Sequence, residues 1–552
     1  MNTKYIFVIG GVLSGVGKGV TAASIGRMFK NRNYNVSAIK IDPYINVDAG
    51  TMNPVEHGEV FVTDDGDETD QDLGNYERFL DTDIFSLNYM TTGRIYKSVI
   101  EKERSMFYKG KCVQVVPHIP LEVISRIKAA AEKAKAEIMI IEVGGTVGEY
   151  ENILYLEAAR MMKLDNPDDV LFVLVSYMPV PGHLGEMKTK PTQHAARALN
   201  NCGIQPDFIV ARGREALDKP RREKLAFFCW LRSEDDVIAA PDVDSIYDIP
   251  ALFESQKFPE RLSKKMHFRL KSGRDVAWDN YVKKLKTANK KIKIAVVGKY
   301  FGAGQFTLAD SYISVIEAAK HACVYNGAVP EMCWVDSEQF SAQGGPASGG
   351  EKTKNKNISI LSEYDAIIVP GGFGERGVEG IIMAIKYARE NKIPYLGLCY
   401  GMQLATIEFA RNVLGLTKAN TVEINPKTPD PIIHINPKQK ENMSHNRYGG
   451  TMRLGAYDCV LTTGSQVQKL YGTKKISERH RHRYEFNNDY KERIEKAGLQ
   501  FVGINPEQNL MEIIELKNHP YFVGSQFHPE LKSRPLNPHP LFMGLVKAAL
   551  KK

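Results

Sequence analysis

The sequence predicts an α/β protein with two doubly wound parallel sheets, one in each of two domains. Short β-branched runs alternate with helical stretches in both halves of the chain, and this alternation is typical of strands joined by crossover helices. The runs include YIFVIGG, VSAIKID and IMIIEVGG in the first half, and IKIAVVGKY, YDAIIVPGG and PYLGLCYG in the second. Glycines or charged residues follow several of these strands, at the edge where open α/β sheets bind ligands.

The length of the chain supports this division into two domains. A chain of 552 residues is too long for one hydrophobic core. The two alternating regions are separated by a basic stretch that contains no clear strand. We therefore predict a first domain at 1–265, a linker with one helix at 266–291 and a second domain at 292–552. The small, polar and glycine-rich residues 341–357 are predicted to form a flexible spacer loop.

Composition and charge indicate a globular protein, and its mild basic excess fits small anionic substrates equally well. Hydrophobic residues make up 43% of the chain, and the net charge of +8 is mild for its length. The chain has no long Lys/Arg block of the kind that nucleic-acid-binding arms carry, so we expect no nucleic-acid partner. The seven cysteines are scattered, odd in number and without a C-x-x-C pair, which predicts a reducing cytoplasm. No apolar run approaches the ~18 residues that span a bilayer, so we expect no membrane partner.

The stretch GGVLSGVGKGVT, from Gly10 to Thr21, resembles a phosphate-binding loop but breaks its rule. In such loops the amides cradle phosphates, the Lys reaches the β- and γ-phosphates, and a hydroxyl after the Lys holds Mg²⁺. Here Gly19 follows Lys18, and Val12 stands where the strict spacing needs a glycine. The pattern alone leaves open whether this is still a nucleotide site and, if it is, which residues hold the metal.

The second half carries the pattern of a cysteine nucleophile. Cys399 ends an apolar strand, has a glycine two residues away on each side and precedes a helix. This is the arrangement of a nucleophile elbow, and a helix N-terminus raises the thiolate fraction. His528 and Glu530 are expected to share one face of an extended segment, with the Glu orienting the His as base for the Cys. The amides of Gly371 and Gly372 are candidates for an oxyanion hole. A buried structural thiol is the alternative for any isolated cysteine.

These motifs together resemble the triad-type glutamine amidotransferase domain. The resemblance implies that Cys399 attacks the side-chain amide of glutamine, that His528 shuttles the proton and that Glu530 positions His528. It also implies that Arg483 meets the carboxylate of the substrate, although one charge in a basic surface stretch is the alternative for that residue. The residues that would hold glutamine are Gly371, Gly372, Tyr400, Gly401, Met402, Gln403, Glu423 and Arg483.

Several blocks in the first half resemble the CTP synthase family in chain order. They are GGVLSGVGKG, KIDPYINVDAGTMNPVEHGEVFVTDDGDETDQDLGNYERF, EVGGTVGEYE and MKTKPTQHA. The resemblance implies a Rossmann-like P-loop synthetase domain and a flavodoxin-like glutaminase domain. It implies that ATP phosphorylates O4 of UTP and that ammonia, from glutamine or added free, displaces the phosphate to give CTP. It further implies GTP as an allosteric activator, CTP as a feedback inhibitor, an ammonia tunnel and a homotetramer, and it leaves filament formation open.

The same resemblance assigns residues to the nucleotides and the metal. The ATP site would comprise Gly15, Val16, Gly17, Lys18, Gly19, Val20, Lys40, Asp72 and Asp242. The UTP and CTP site would comprise Ser14, Glu149, Tyr150, Glu151, Lys188, Thr189, Lys190, Pro191, Thr192, Gln193 and Lys224. Asp72 and Glu142 would be the Mg²⁺ ligands, since Mg²⁺ prefers hard oxygen donors. Family members commonly carry Asp-Ile-Glu where this chain has Glu-Tyr-Glu at 149–151, which leaves the strength of CTP feedback open.

Two other functions fit parts of the sequence. A cobyrinic-acid amide synthase also pairs a deviant phosphate loop with a glutaminase domain, but it gives no role to the blocks KTKPTQ and DPYINVD. A partition-type ATPase also uses a Gly-Lys-Gly loop, but it gives no reason for Cys399, His528 and Glu530 to occur together. Within KTKPTQ, Pro191 is expected to interrupt a stretch that is otherwise poised to become helical.

Overall fold

The computed structural model describes residues 2–53, 57–182, 185–299, 309–340, 358–436 and 451–552. The predicted spacer loop at 341–357 lies outside the described residues. Contacts divide the chain into two compact units, Met1–Ala49 with Asp72–Val282, and Gly50–Gln71 with Lys283–Lys552. The segment 50–71 therefore packs as part of the second unit, a grouping that the sequence-based division did not include.

The elements of the first 287 residues alternate between strands and helices. The described strands are β1 (Lys4–Gly11), β2 (Val36–Asp42), β3 (Phe61–Val62), β4 (Glu68–Thr69), β5 (Tyr89–Thr91), β6 (Ile138–Val143), β7 (Val170–Tyr177), β8 (Phe208–Gly213) and β9 (Val237–Pro241). The described helices are α1 (Lys18–Lys30), α2 (Asp72–Leu80), α3 (Thr92–Arg104), α4 (Val115–Lys133), α5 (Ile153–Asp165), α6 (Lys190–Asn201), α7 (Lys219–Phe228), α8 (Ile249–Ser255), α9 (Phe258–Lys265) and α10 (Ala277–Thr287).

The first unit is built on one parallel sheet. Its described strands lie in the order β5-β2-β6-β1-β7-β8-β9, and every neighbouring pair is parallel. The runs YIFVIGG and IMIIEV form central strands that are buried along almost their whole length, as expected for strands with helices on both faces. The carboxyl ends of β1, β2 and β6 are neighbours. The phosphate loop follows β1, Asp42 is the last residue of β2, and Gly144 follows β6.

The elements of the second unit begin with β10 (Lys290–Gly298) and continue to the last described helix. The other strands are β11 (Ala328–Asp336), β12 (Ala366–Val369), β13 (Tyr395–Leu398), β14 (Asn420–Thr421), β15 (Pro431–Ile435), β16 (Arg453–Leu461), β17 (Lys475–His482), β18 (Tyr484–Phe486), β19 (Leu499–Asn505), β20 (Leu510–Leu516) and β21 (Phe522–Ser525). The described helices are α11 (Ile313–Tyr325), α12 (Val378–Glu390), α13 (Tyr400–Asn412), α14 (Gln466–Tyr471), α15 (Lys491–Ala497) and α16 (Pro540–Ala549).

The main sheet of the second unit is half parallel and half antiparallel. Its described strands lie in the order β11-β10-β12-β13-β21-β20-β19-β16-β17. The strands from β11 to β21 pair in parallel, and those from β21 to β17 pair antiparallel. The α/β prediction is confirmed. The antiparallel half was not predicted; β19, β20 and β21 follow one another through short connections, which antiparallel strands allow.

Part of the predicted linker packs into the first unit. Trp278 is 1% exposed, and its Nε1 donates to the carbonyl of Tyr247 at 3.1 Å. The guanidinium of Arg27 lies over the Trp278 ring, 4.9 Å from its centroid. These contacts anchor the start of α10. No helix in the described ranges is both long and apolar enough to cross a membrane, and all seven cysteines are free thiols.

Candidate glutaminase and nucleotide sites

Cys399 lies at a strained turn between β13 and α13. Its backbone has φ 50° and ψ −97°, a conformation that residues with a side chain rarely adopt. A Cβ at Gly397 would lie 2.5 Å from the Tyr395 hydroxyl oxygen, and one at Gly401 would lie 2.3 Å from the Val369 carbonyl oxygen. Only glycine therefore fits on either side of the turn. The thiol stands at the N-terminus of α13.

His528 and Glu530 meet in a turn and not in an extended segment. β21 ends at Ser525, and Pro529–Lys532 form a 3₁₀ turn, since proline is well suited to the first helical position. The expectation that strand alternation brings the two side chains together is therefore wrong. They meet nevertheless, with His528 Nδ1 2.7 Å from Glu530 Oε1. Burial lowers the pKa of His528, but the Glu530 carboxylate and the Cys399 thiol raise that pKa well above its ordinary value.

Cys399 and His528 line a cavity of about 400 Å³ within the second unit. A Cβ at Gly371 would lie 2.9 Å from His528 Cε1 and 3.9 Å from Cys399 Cβ. Because only glycine leaves that space empty, the backbone can approach the reacting groups as an oxyanion hole requires. The residues assigned to glutamine that line the cavity are Gly371, Gly372, Tyr400, Gln403, Glu423 and Arg483.

Two of the residues assigned to glutamine lie away from the cavity wall. Gly401 packs against the backbone of β12, and Met402 is 1% exposed in the core. Consecutive residues of a helix point to different faces, so α13 cannot present all of 400–403 to one cavity. The structure brings Tyr400 and Gln403 to the wall and leaves Gly401 and Met402 behind it.

Glu423 is fixed at the wall by the glycine loop that follows β12. Its Oε1 accepts a hydrogen bond from the Gly374 amide at 2.8 Å, and burial raises the pKa of its carboxyl. The carbonyl of Gly374 accepts from the Tyr400 hydroxyl at 2.8 Å and from Lys299 Nζ at 2.6 Å. Burial lowers the pKa of Lys299 to about 8. These contacts hold the loop against the start of α13.

The segment 50–71 supplies part of the cavity that sequence reasoning missed. Glu59 and Val60 line it, as does Arg481 of β17. Arg481 Nε donates to Glu68 Oε1 at 2.8 Å, and Arg479 Nε donates to Asp64. The alternating basic residues RHRHR are visible in the sequence, but they indicated a basic surface stretch and identified neither the strand nor its partners. The structure shows that two of them bind the carboxylates of this segment.

The phosphate-type loop between β1 and α1 has the backbone that phosphate cradling needs. Gly15 and Gly17 have φ values of 71° and 88°, which glycine adopts without strain. Lys18 Nζ donates to the carbonyl of Gly145 at 2.9 Å, and burial lowers the pKa of Lys18. A Cβ at Gly10 would lie 2.8 Å from Lys18 Nζ. Glycine at position 10 therefore makes room for the lysine.

Asp72 occupies the space that a side chain at position 19 would need. A Cβ built at Gly19 would lie 2.2 Å from Asp72 Oδ1 and 2.8 Å from Asp72 Cγ. A Ser or Thr after Lys18 would therefore collide with a carboxylate. The break in the phosphate-loop rule has a steric cause, because an acidic side chain stands where the hydroxyl usually is.

Asp72 and Glu142, the predicted metal ligands, both contact the ammonium group of Lys40. Lys40 Nζ lies 3.0 Å from Glu142 Oε1 and 3.5 Å from Asp42 Oδ1, and it also donates to Asp72. Tyr76 donates its hydroxyl hydrogen to Glu142. Burial, followed by the charge of Asp72, raises the pKa of Glu142. Among the described residues no three His, Cys, Asp or Glu side chains form a metal-binding group. Two hard carboxylates still suit Mg²⁺, which usually takes its other ligands from phosphates and water.

The residues assigned to the pyrimidine nucleotide are partly exposed and partly structural. Pro191 lies in the first turn of α6, so it begins a helix and does not interrupt one, because the first turn needs no proline N–H. Thr192 is 0% exposed and its hydroxyl lies 2.8 Å from that of Ser176, so its side chain faces the core. Gln193 Nε2 donates to Thr189 Oγ1 at 3.0 Å. The exposed members are Ser14, Glu149, Tyr150, Glu151, Lys190 and Lys224.

Two of the residues assigned to the nucleotides, Glu149 and Asp242, have hydrogen-bond partners in the first unit. Glu149 Oε2 accepts from the Thr146 amide at 2.8 Å. Arg212 Nη2 donates to Asp242 Oδ1 at 3.2 Å. A Cβ at Gly17 would lie 3.4 Å from Arg212 Nε. Arg212 is therefore a cation beside the phosphate loop, and it was missed because its sequence stretch FIVARG reads only as a strand.

The class of protein follows from both units. The family model described as "Glutamine amidotransferase class-I" matches residues 307–548, which contain the cysteine elbow and the His–Glu pair. The chain therefore joins a class I glutamine amidotransferase domain to a domain with a phosphate-type loop. The model described as "CTP synthase N-terminus" matches residues 4–268 of that first part.

Full-length relatives give the particular family. The CTP synthase of Caldanaerobacter subterraneus subsp. tengcongensis is 50% identical over 548 residues, 99% of this chain and 98% of the relative. The CTP synthase of Thermococcus kodakarensis is 48% identical over 552 residues, 100% of this chain and 99% of the relative. The solved glutaminase domain of Trypanosoma brucei CTPS, with bound acivicin, is 35% identical at a TM-score of 0.42, covering 47% of this chain and 94% of that one. The chain belongs to the CTP synthase family and is a ligase with a glutaminase domain.

Proposed function

We propose that the cavity at Cys399 releases ammonia from glutamine and that the first unit uses this ammonia to convert UTP to CTP. Glutamine-dependent amination of UTP is the reaction of the family. The assignment of glutamine hydrolysis to the second unit rests on one observation: Cys399, His528 and Glu530 line the same cavity. Lys18, Asp72 and Glu142 belong to the other unit.

In the glutaminase half-reaction, Cys399 gives its thiol proton to His528 and the sulfur attacks the side-chain carbonyl carbon of glutamine. The carbonyl oxygen gains the electron pair, and the amides of Gly371 and Gly372 would donate to it. When the electron pair returns, the C–N bond breaks and His528 protonates the leaving nitrogen, which departs as ammonia. Water then attacks the thioester, His528 accepts its proton, and the C–S bond breaks to release glutamate. The Glu530 carboxylate stabilises the imidazolium in both halves.

Glutamine itself would be held by the polar wall of the cavity. Arg483 supplies a guanidinium for the α-carboxylate of the substrate, since bidentate pairing suits that group. Gln403, Glu423 and Tyr400 supply further donors and acceptors at the same wall. This set is suited to recognise an amino acid that carries one cationic and one anionic end.

In the synthetase half-reaction, O4 of UTP attacks the γ-phosphorus of ATP and ADP leaves. Ammonia then adds to C4 of the base, and the phosphate departs with the electron pair of the C–O bond, leaving the amino group of CTP after proton loss. Lys18 and the amides of the glycine loop are placed to stabilise the phosphate charge in this transfer. Lys40 is a second buried cation at the same sheet edge.

Asp72 and Glu142 are the residues that would hold Mg²⁺, which when bound neutralises phosphate charge. GTP activation, CTP feedback, a homotetramer and a cytoplasmic location complete the proposal, and they rest on family membership. Filament formation stays open. The proposed division into a synthetase domain at 1–265, a linker and a glutaminase domain at 292–552 rests on the change of pattern along the sequence.

Two variants test the division of roles. Cys399→Ala should abolish CTP formation from glutamine and leave CTP formation from ammonium salt intact. Lys18→Ala should abolish both and spare basal glutamine hydrolysis. Conversion of UTP to CTP is followed by absorbance with ATP and Mg²⁺ at saturating substrate. Loss of both routes in folded Cys399→Ala, or full synthesis in Lys18→Ala, would contradict the assignment.

A further inference from the structure

A chain of buried amides leads from the backbone of Tyr484 to the sulfur of Cys399. The Tyr484 carbonyl can only accept, so the Gln403 atom 3.0 Å from it must be the donor Nε2. The same Nε2 lies 3.2 Å from the side chain of Gln526, whose facing atom must therefore be the acceptor Oε1. This fixes the Gln526 amide with Nε2 towards Cys399 Sγ, at 3.7 Å.

Both glutamine side chains are buried, which makes their orientation significant. Gln526 is 0% exposed and Gln403 is 3% exposed. A buried primary amide destabilises a protein unless its donors and acceptors are satisfied. The backbone amide of Gln526 donates to the Glu512 carbonyl at 2.8 Å, so the strand end is held without help from the side chain. The partner that the Gln526 Nε2 donor faces is a thiol.

A buried histidine, His482, fixes the carbonyl from which this chain starts. His482 Nδ1 lies 3.1 Å from the Tyr484 carbonyl, so that nitrogen must carry the hydrogen. Burial, followed by the charge of Arg453, lowers the pKa of both His480 and His482 well below the ordinary value, so the rings are neutral. His480 lies beside His482, with its Nδ1 2.9 Å from His482 Nε2 and 3.4 Å from the donor Arg453 Nη1. The Tyr484 carbonyl is held from two sides, by Gln403 Nε2 and by His482 Nδ1.

We propose that Gln526 is a further catalytic residue of the glutaminase, whose amide N–H donates to the Cys399 sulfur and stabilises the thiolate. The inference rests on the proposed nucleophilic role of Cys399. In the thiol form the S–H points towards the carbonyl of Arg481, 3.9 Å away. When the thiol proton passes to His528 that interaction is lost, while the donor from Gln526 strengthens because its acceptor is now charged. Gln526 thus acts on the proton transfer that creates the nucleophile.

The test compares the full-length Gln526→Met variant with Gln500→Met. Gln500 is a matched control in the same unit, and its amide donates to the Glu495 carbonyl at 2.8 Å, outside the cavity. Alkylation of Cys399 by iodoacetamide is measured across pH by mass spectrometry, together with glutaminase kinetics. Loss of one charge-assisted donor should slow alkylation at pH 7 about tenfold and move the alkylation profile up by about one pH unit. The glutaminase kcat should fall similarly with little change in KM, and ammonia-dependent synthesis should be unchanged.

Two outcomes overturn the proposal and remain distinct from failure of the proposed function. A wild-type alkylation profile in Gln526→Met would overturn it, as would a fall in kcat without any shift of the profile, because a merely structural role would produce the latter. If Gln526→Met fails to fold by circular dichroism, Gln526→Leu fills a similar volume, lacks the donor without adding a charge and should show the same upward shift. Retention of glutamine-dependent synthesis by Cys399→Ala would instead contradict the proposed function itself.

Discussion

Replacing Gly19 with serine would restore the usual Gly-Lys-Ser order of a phosphate loop, yet we expect it to remove most CTP synthesis. A Cβ at position 19 would lie 2.2 Å from Asp72 Oδ1, whereas unstrained contacts between non-bonded heavy atoms begin at about 3.5 Å. The Asp72 carboxylate must therefore move by about 1 Å and weaken its pairing with Lys40. A displacement of that size at a catalytic group costs about 100-fold in rate, and the overpacking costs about 1–3 kcal/mol of stability.

The assay measures CTP formation from glutamine and from ammonium salt, with glutamine hydrolysis alone as an internal reference. Both synthetic rates should fall together while hydrolysis is retained, since the change lies in the first unit. Gly182→Ser is the matched control, because, apart from its chain neighbours, no residue in the described part of the chain has an atom within 4 Å of a Cβ at that position. Synthesis at the wild-type rate in folded Gly19→Ser would refute the steric reasoning, as would an equal loss in the control.

Three further predictions follow from contacts in the two units. Gly371→Ala should lower glutaminase kcat about 10- to 100-fold and spare ammonia-dependent synthesis, because its Cβ would lie 2.9 Å from His528 Cε1. Glu530→Gln should lower the pKa of His528, because the Glu530 carboxylate raises it. The alkaline limb of the glutaminase kcat/KM profile should then move to lower pH. The folding stability that protonated His528 contributes below its raised pKa should also be lost at a lower pH than in the wild type as the pH rises. Trp278→Ala should destabilise the first unit by about 3–5 kcal/mol in thermal unfolding, whereas the 63% exposed Trp230 should tolerate alanine within about 0.5 kcal/mol.

The strands that the sequence predicted correctly are those whose residues are buried on both faces. YIFVIGG and IMIIEV are continuous apolar runs because helices cover both sides of their sheet, so local composition is enough to find them. The antiparallel strand β17, KISERHRH, escaped detection because its residues pair with charged partners. Arg479 and Arg481 bind carboxylates of the segment 50–71, and distant pairing of this kind leaves no local pattern.

The candidate sites divide in the same way. The glycines around Cys399 identify the elbow because the backbone turn itself demands them. The reasoning for His528 and Glu530 reached the right pair through the wrong geometry, since the 3₁₀ turn at Pro529 depends on where β21 ends. The cause of the irregular phosphate loop could not be read at all. It depends on Asp72, which is far from Gly19 in sequence and in contact with it only after folding.

The backbone of Cys399 also bears on how this chain could be engineered. A residue with a side chain in that conformation costs of order 1–3 kcal/mol, and glycine would adopt it with far less strain. Cys399→Gly should therefore yield a glutaminase-dead domain that is more stable than the parent, while Cys399→Ala should not. The residue that the proposed reaction needs as its nucleophile therefore lies at a position where its own backbone conformation lowers the stability of the domain.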